Sequence, residues 1–215
     1  MRTAVLASGS GTNLQALIDA QPDAGGYEIV LVASDNAAAN ALERASNAAI
    51  DTAIIENPAD GAAISAMLAS QNVDLVVLAG YMKLVPEDVV EKFAGRMINL
   101  HPALLPAFGG KGMYGMNVHR AVLESGAAVS GATVHLVDAA YDRGPIVAQW
   151  PVPVQPGDTP ESLQRRVSEV EHVLLPIVVR EIARHGAVVS LKLRRSALAG
   201  SDRLDLASAL QAESN

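Results

Sequence analysis

Short aliphatic runs alternate with alanine-rich stretches through the first hundred residues. The runs are Ala4–Ala7, Ile29–Ser34, Thr52–Ile55, Leu75–Ala79 and Met97–Leu100, and the stretches between them fall at 13–21, 38–48, 61–71 and 86–94. Strands that are apolar nearly throughout, each followed by a helical stretch, predict a mostly parallel sheet with helices on both faces. The crossovers are expected to be right-handed. The expected fold class is therefore α/β, with a Rossmann-like first half. The second half reads differently. Thr133–Val137 and Ile146–Val154 are extended runs separated by a polar turn, Asp138 to Gly144, which predicts an antiparallel strand pair extending the sheet. A long helix follows, with Thr159 as N-cap, Pro160 in its first turn and Glu161 at its positive end. Leu163, Val167, Val170, Leu174 and Ile177 form an apolar stripe at helical period, and Pro176 inside it predicts a kink. From Leu191 the pattern loosens, so 191–215 is expected to be a peripheral tail on a single domain covering 1–190.

The length, 215 residues, suits one domain with a sizeable core. The 16 Lys and Arg are outnumbered by 23 Asp and Glu, a net charge of −7, which argues against a sequence-independent nucleic-acid partner. The chain has no cysteine, which removes disulfides, thiolate metal sites and thiol nucleophiles. No apolar stretch has the length of a membrane span, and the first residues do not resemble a signal peptide. The expectation is a cytoplasmic protein that acts on small molecules, with no nucleic-acid or membrane partner. A homodimer is compatible with this.

Three segments carry chemistry. Ser8-Gly9-Ser10-Gly11-Thr12-Asn13-Leu14 follows the first strand and opens the first helix, where free backbone N–H groups can hold an anion. Leu14 stands where a dinucleotide fingerprint needs a third small residue, so a compact monophosphate fits better than a pyrophosphate. A tight turn capped by Thr12 is the plainer alternative. Asn99-Leu100-His101-Pro102 ends the fifth strand. Asn99 and His101 are two residues apart and share a face, which pairs an amide donor with a proton carrier. The alternative is a structural His101 satisfied by a loop carbonyl. In Gly131 to Pro145, Asp142 precedes Gly144, either as an ordinary turn residue or as the carboxylate that orients an imidazole. His135 is either packed on its strand or placed near His101. Phe108 to Gly115 reads as a mobile glycine-rich loop, and Lys111 on it as a solvated lysine or a partner for an anion. The histidines form no metal-ligand pattern, and no metal is expected.

Taken together, S-G-S-G-T-N-L at 8–14, N-L-H-P-A-L-L-P at 99–106 and G-x-T-V-H-x-V-x-x-x-Y-D-x-G-P at 131–145 resemble the folate-dependent formyltransferase superfamily. Within it, the likeness is to members acting on glycinamide ribonucleotide in purine biosynthesis. It runs from residue 2 to about 190. The resemblance implies a catalytic group of Asn99, His101 and Asp142. It implies a substrate phosphate on the backbone of Gly11, Thr12 and Asn13, and a ribonucleotide contact from Glu171. It also implies a folate site built from Met82, Lys83, Leu84 and Val85, with Asn99 and the segment Val137, Asp138, Ala139, Ala140 and Tyr141. Residues 1–100 would then be the phosphate-binding half and 101–190 the folate-binding, catalytic half. The co-substrate implied is 10-formyltetrahydrofolate. By helical arithmetic Glu171 lies roughly 80° off the apolar stripe, at its border. A solvated helix charge is therefore an alternative for it. Two departures stand out: Lys83 replaces the family's usual Arg, and the segment from Glu56 lacks the basic residue that relatives often carry after the third strand.

Other readings remain. A formyltetrahydrofolate hydrolase would use the same catalytic residues with water as acceptor. It usually carries an extra N-terminal domain, whereas the first strand here begins at residue 2. A methionyl-tRNA formyltransferase would need a basic RNA-binding extension. A non-catalytic nucleotide-binding or NAD-sensing module would use the glycine turn and Asp35, and would leave Asn99, His101 and Asp142 unexplained.

Overall fold

The structure, a computed structural model, describes residues 1–24, 26–193 and 210–212. The chain begins with alternating strands and helices: β1 (Arg2–Leu6), α1 (Thr12–Ala24), β2 (Glu28–Ser34), α2 (Asn40–Asn47), β3 (Asp51–Ile54), α3 (Gly61–Ser70), β4 (Leu75–Leu78), α4 (Glu87–Lys92) and β5 (Met97–His101). It continues through α5 (Met116–Glu124), β6 (Val129–Leu136), β7 (Ile146–Pro153), α6 (Pro160–His185), β8 (Leu191–Leu193) and β9 (Leu210–Ala212).

Seven strands form one sheet in the order β3-β2-β1-β4-β5-β6-β7. The first five are parallel, and β6 and β7 add antiparallel to β5. This is the expected Rossmann-like sheet with its antiparallel extension. Buried strand residues split by parity between two cores. Val5, Val32, Val77, Ile98 and Leu100 join the core shared with α1, α2, α5 and α6. Leu6, Leu31, Val76 and Met97 join the core shared with α3 and α4.

The strand order reverses its direction of winding between β1 and β4. The carboxyl ends there part, which is where ligands bind in open α/β sheets. The loop after β1 and the segment after β4 meet at this point, Ser8 N–H donating to Gly80 O at 3.0 Å. Glycine is required in the turn itself. Gly11 has a left-handed φ of +70, and a Cβ there would stand 2.7 Å from Ala41 Cα.

Some expectations need adjusting. α5 has no counterpart among the expected helices. β6 begins at Val129, four residues before the expected run. The sheet needs a small residue there: a Cβ on Gly131 would lie 2.2 Å from Trp150 O. The long helix starts as expected. Thr159 accepts from Ser162 N–H at 3.2 Å, and Ser162 Oγ accepts from Thr159 N–H at 2.9 Å. α6 runs on as one helix through Pro176 and ends at Gly186, whose φ is +69. The expected tail is not wholly peripheral, because Leu191 is buried against the main core and β8 pairs with β9. Residues 194–209 and 213–215 of that tail lie outside the described residues.

Candidate active site

The alternation of β5 places Asn99 and His101 on one side of the sheet at its carboxyl end. β6 pairs antiparallel beside it, with Asn99 opposite His135 and His101 opposite Thr133. Directly opposed residues on neighbouring strands face the same way. The Asn99 amide consequently donates to His135 Nε2 at 3.0 Å. The His135 Nδ1–H is spent on Leu136 O at 2.8 Å, which leaves Nε2 as an acceptor in the neutral ring.

Asp142 completes the group. It sits in the loop between β6 and β7 with a left-handed φ of 56, a conformation that Asp tolerates better than most residues. Its carboxylate accepts from Gly110 N–H at 2.8 Å and from Asn99 Nδ2 at 3.4 Å. It lies 3.6 Å from His101 Nδ1 and 3.5 Å from His135 Nε2. Burial alone would raise the Asp142 pKa. The nearby His135 and His101 rings and the Gly110 N–H together outweigh burial and hold it below the usual range. His101 is shifted down, chiefly by burial, while the Asp142 charge and the Phe108 carbonyl pull it back up.

The His101 Nε2–H donates to Phe108 O at 2.8 Å. The loop-carbonyl alternative is thus realised on one nitrogen, while the other faces Asp142. The glycine-rich loop is held to the site at these two points, Phe108 O and Gly110 N–H. The approach is close, since a Cβ on Gly109 would lie 2.4 Å from Leu105 Cδ2 and 3.1 Å from Asp142 Cβ.

A cavity of about 490 Å³ connects this group to the first turn. At one end are Ser10, Thr12, Asn13 and Glu171. Glu171 is only 7% exposed, and Asn13 Nδ2 donates to its Oε2 at 3.1 Å. It is therefore not a solvated helix charge. Burial raises its pKa, and the Asn13 bond offsets part of that shift. Gly11 lies behind the lining, against Ala41. Among the described residues none accepts a hydrogen bond from the backbone N–H of Gly11, Thr12 or Asn13.

At the other end are Met82, Lys83, Leu84 and Val85, facing Val137, Asp138, Ala140 and Tyr141; Ala139 is not in the wall. Met82, Leu84 and Tyr141 are exposed there, apolar surface on a concave wall. Lys83 reaches Asp35 at 3.8 Å, and Asp35 also accepts from Ser8 Oγ at 2.5 Å. Asp35 is thus engaged by the protein itself. Ser8 Oγ in turn accepts from Met82 N–H at 2.9 Å, tying the two ends of the cavity together.

Sequence reasoning left two residues near the site without a role. His119 on α5 is buried and lines the cavity, with its pKa pushed down to about 4 by burial and by the nearby His101; its Nδ1 has no partner. Arg44 on α2 reaches back to the first turn, donating to Ser10 O at 2.9 Å. Among the described residues no group of His, Asp and Glu could hold a metal ion. None of their helices is long and apolar enough to cross a membrane.

Comparison with known proteins gives a consistent result. The sequence profile of the formyl transferase family matches residues 1–179. The chain is 42% identical over 189 residues to the chloroplastic phosphoribosylglycinamide formyltransferase of Arabidopsis thaliana, covering 84% of this chain and 65% of that protein. It is 40% identical over 195 residues to the trifunctional purine biosynthetic protein adenosine-3 of Gallus gallus, covering 87% of this chain but 19% of that one. The chain thus spans less than two thirds of these curated relatives. Its fold matches the crystal structure of phosphoribosylglycinamide formyltransferase from Anaplasma phagocytophilum with a TM-score of 0.80 at 38% identity, covering 95% of this chain and 97% of that one.

Proposed function

The chain belongs to the formyl transferase family, and from that membership and its two-ended site we propose that it transfers a formyl group from 10-formyltetrahydrofolate to the amine of glycinamide ribonucleotide, a step of purine biosynthesis. The observation that carries this reading is one continuous cavity. Its lining includes Asn99, His101 and Asp142 together with Thr12 and Asn13 of the helix start, the buried Glu171, and the apolar Met82, Leu84 and Tyr141. Its volume is in the range that holds small-molecule ligands.

The phosphate sits on the N–H groups of Gly11, Thr12 and Asn13, where the α1 dipole favours negative charge. Glu171 takes a hydroxyl or ammonium of the same molecule. The folate ring lies against Met82 to Val85 and the 137–141 segment. The aliphatic side chains of Met82, Leu84, Val85 and Val137 and the ring of Tyr141 offer apolar surface to a pterin, and backbone N–H and C=O groups of those segments supply its polar contacts.

The amine attacks the formyl carbon, and a C–N bond forms as the carbonyl oxygen becomes an oxyanion. The Asn99 amide hydrogen on the long 3.4 Å contact to Asp142 is the one that turns to this oxygen. His101, paired with Asp142, carries the proton that the attacking amine loses toward the departing N10 of the folate, directly or through water. The C–N bond to N10 then breaks, releasing tetrahydrofolate and formylated ribonucleotide. The phosphate contacts contribute positioning rather than chemistry. Every residue named comes from one chain. We place the reaction in the cytoplasm.

A hydrolase reading uses the same Asn99, His101 and Asp142. It leaves the buried Glu171 and the open N–H groups of α1 without a ligand, because water needs no anchor. Thermal shift separates these readings. Glycinamide ribonucleotide and a folate should each raise the Tm, and NAD should not. Stabilisation by NAD alone would sink the proposal.

A further inference from the structure

α2 contributes nothing to the reacting group, yet it touches three consecutive residues of the first turn. Ala41 N–H donates to Gly9 O at 3.2 Å. Ala41 also closes off the space in which a Cβ on Gly11 would stand. One helical turn further, Arg44 Nε donates to Ser10 O at 2.9 Å, and its Nη1 donates to Gln15 Oε1 on α1 at 3.0 Å. We propose that Arg44 is a positioning residue for the substrate phosphate, fixing the Ser10–Gly11 peptide so that the Gly11 N–H points into the anion site. The proposal rests on the formyl-transfer reading above.

In a trans peptide the C=O and the next N–H point to opposite sides. Holding Ser10 O toward α2 therefore turns the Gly11 N–H away from α2, and the next two residues, Thr12 and Asn13, also carry open N–H groups. Nothing in Gly11 itself enforces this. Glycine accepts left- and right-handed φ about equally, so the peptide is free to turn over unless its carbonyl is held. Turned over, it would present a carbonyl oxygen to the phosphate in place of a donor. An arginine suits the task because its planar fork engages Ser10 O and Gln15 Oε1 together, whereas a lysine ammonium is a point charge on a flexible stem. This also bears on the missing basic residue after β3. A cation does stand at the phosphate end, and it acts on the turn's backbone from α2.

Binding of the ribonucleotide and of its dephosphorylated riboside, measured by titration calorimetry on the full chain, tests this. The variants are Arg44→Ala and Arg44→Lys, with the folate Kd and the Tm measured alongside. The expectation is that both variants weaken the ribonucleotide by about tenfold to a hundredfold, the range for losing a hydrogen bond to a charged group. Riboside binding, folate binding and Tm should stay close to wild type. Equal weakening of ribonucleotide and riboside would overturn the proposal and make Arg44 a general structural residue. Wild-type affinity in Arg44→Lys would overturn it too, because charge without the fork would then suffice. Failure of the wild-type protein to bind the ribonucleotide is seen before any variant is made, and would remove the formyl-transfer reading itself.

Discussion

Glu171→Gln separates the stability of this protein from its function, because the two should move in opposite directions. The carboxylate is 7% exposed, and its one offsetting contact is the 3.1 Å bond from Asn13 Nδ2. Burial raises its pKa, so the folded state binds the proton more tightly than the unfolded chain does. The sign is then fixed. Its favourable contribution is fully present below the unfolded pKa and is lost as pH rises through the folded pKa. Ionising Glu171 in the ligand-free protein therefore costs free energy, since it buries a charge that no cation pairs with among the described residues. The amide in Glu171→Gln keeps the shape and an acceptor for Asn13 and removes that charge. A gain of about 1 kcal/mol corresponds to a Tm higher by roughly 2–4 °C in a domain of this size. The ribonucleotide, deprived of a charge-assisted contact, should lose about 1.5–3 kcal/mol, or roughly 10- to 150-fold in Kd. Differential scanning fluorimetry of the free protein and calorimetry with the ribonucleotide read the two effects. A lower Tm with unchanged ribonucleotide affinity would show that Glu171 is a structural hydrogen-bonding residue and refute the reasoning.

Further expectations concern the reacting group and the first turn. Asn99→Ala should cost about 2.7–4 kcal/mol in kcat if its amide meets the oxyanion, far more than it weakens folate binding; full turnover in a folded variant removes that role. Asp142→Asn deletes the charge that raises the His101 pKa, so the limb of the kcat/KM–pH profile set by His101 should move to lower pH. A profile that stays in place would separate the two residues. Gly11→Val should destabilise the fold as well as weaken the ribonucleotide, since its side chain meets Ala41 at a φ of +70. A wild-type Tm in Gly11→Val would refute that steric reasoning.

Much of this site was legible from the sequence, and the reasons are local. Parallel strands buried on both faces announce themselves as apolar runs, so β1, β2, β4 and β5 stood out, while β3, a mostly exposed edge strand, showed through the β-branched Thr52, Ile54 and Ile55. Period two put Asn99 and His101 on one face without any tertiary knowledge. What was left open or missed depends on register or on distant packing. His135 meets Asn99 only because β6 pairs antiparallel with β5 in one register, and neither strand alone encodes that pairing. The helix α5 follows a glycine-rich stretch and is nine residues long, so its buried Val118, His119 and Val122 gave too short a stripe to read. Arg44 lies in the helical stretch 38–48, and nothing local marks it out. Its bond to Ser10 spans 34 positions and follows from the packing of α2 on the first turn. Glu171 at the border of a stripe could have faced solvent or core, and the approach of α1 decided the matter.

The central claim is that the formyl group goes to an amine held in the cavity and not to water. Purified protein is mixed with 10-formyltetrahydrofolate, with and without glycinamide ribonucleotide. Tetrahydrofolate release is followed by absorbance, and the ribonucleotide product is weighed by mass spectrometry. The account predicts rapid folate deformylation only when the amine is present, matched mole for mole by formylated ribonucleotide. Deformylation at the same rate without the amine, and no formylated product with it, would contradict the account and make the protein a hydrolase.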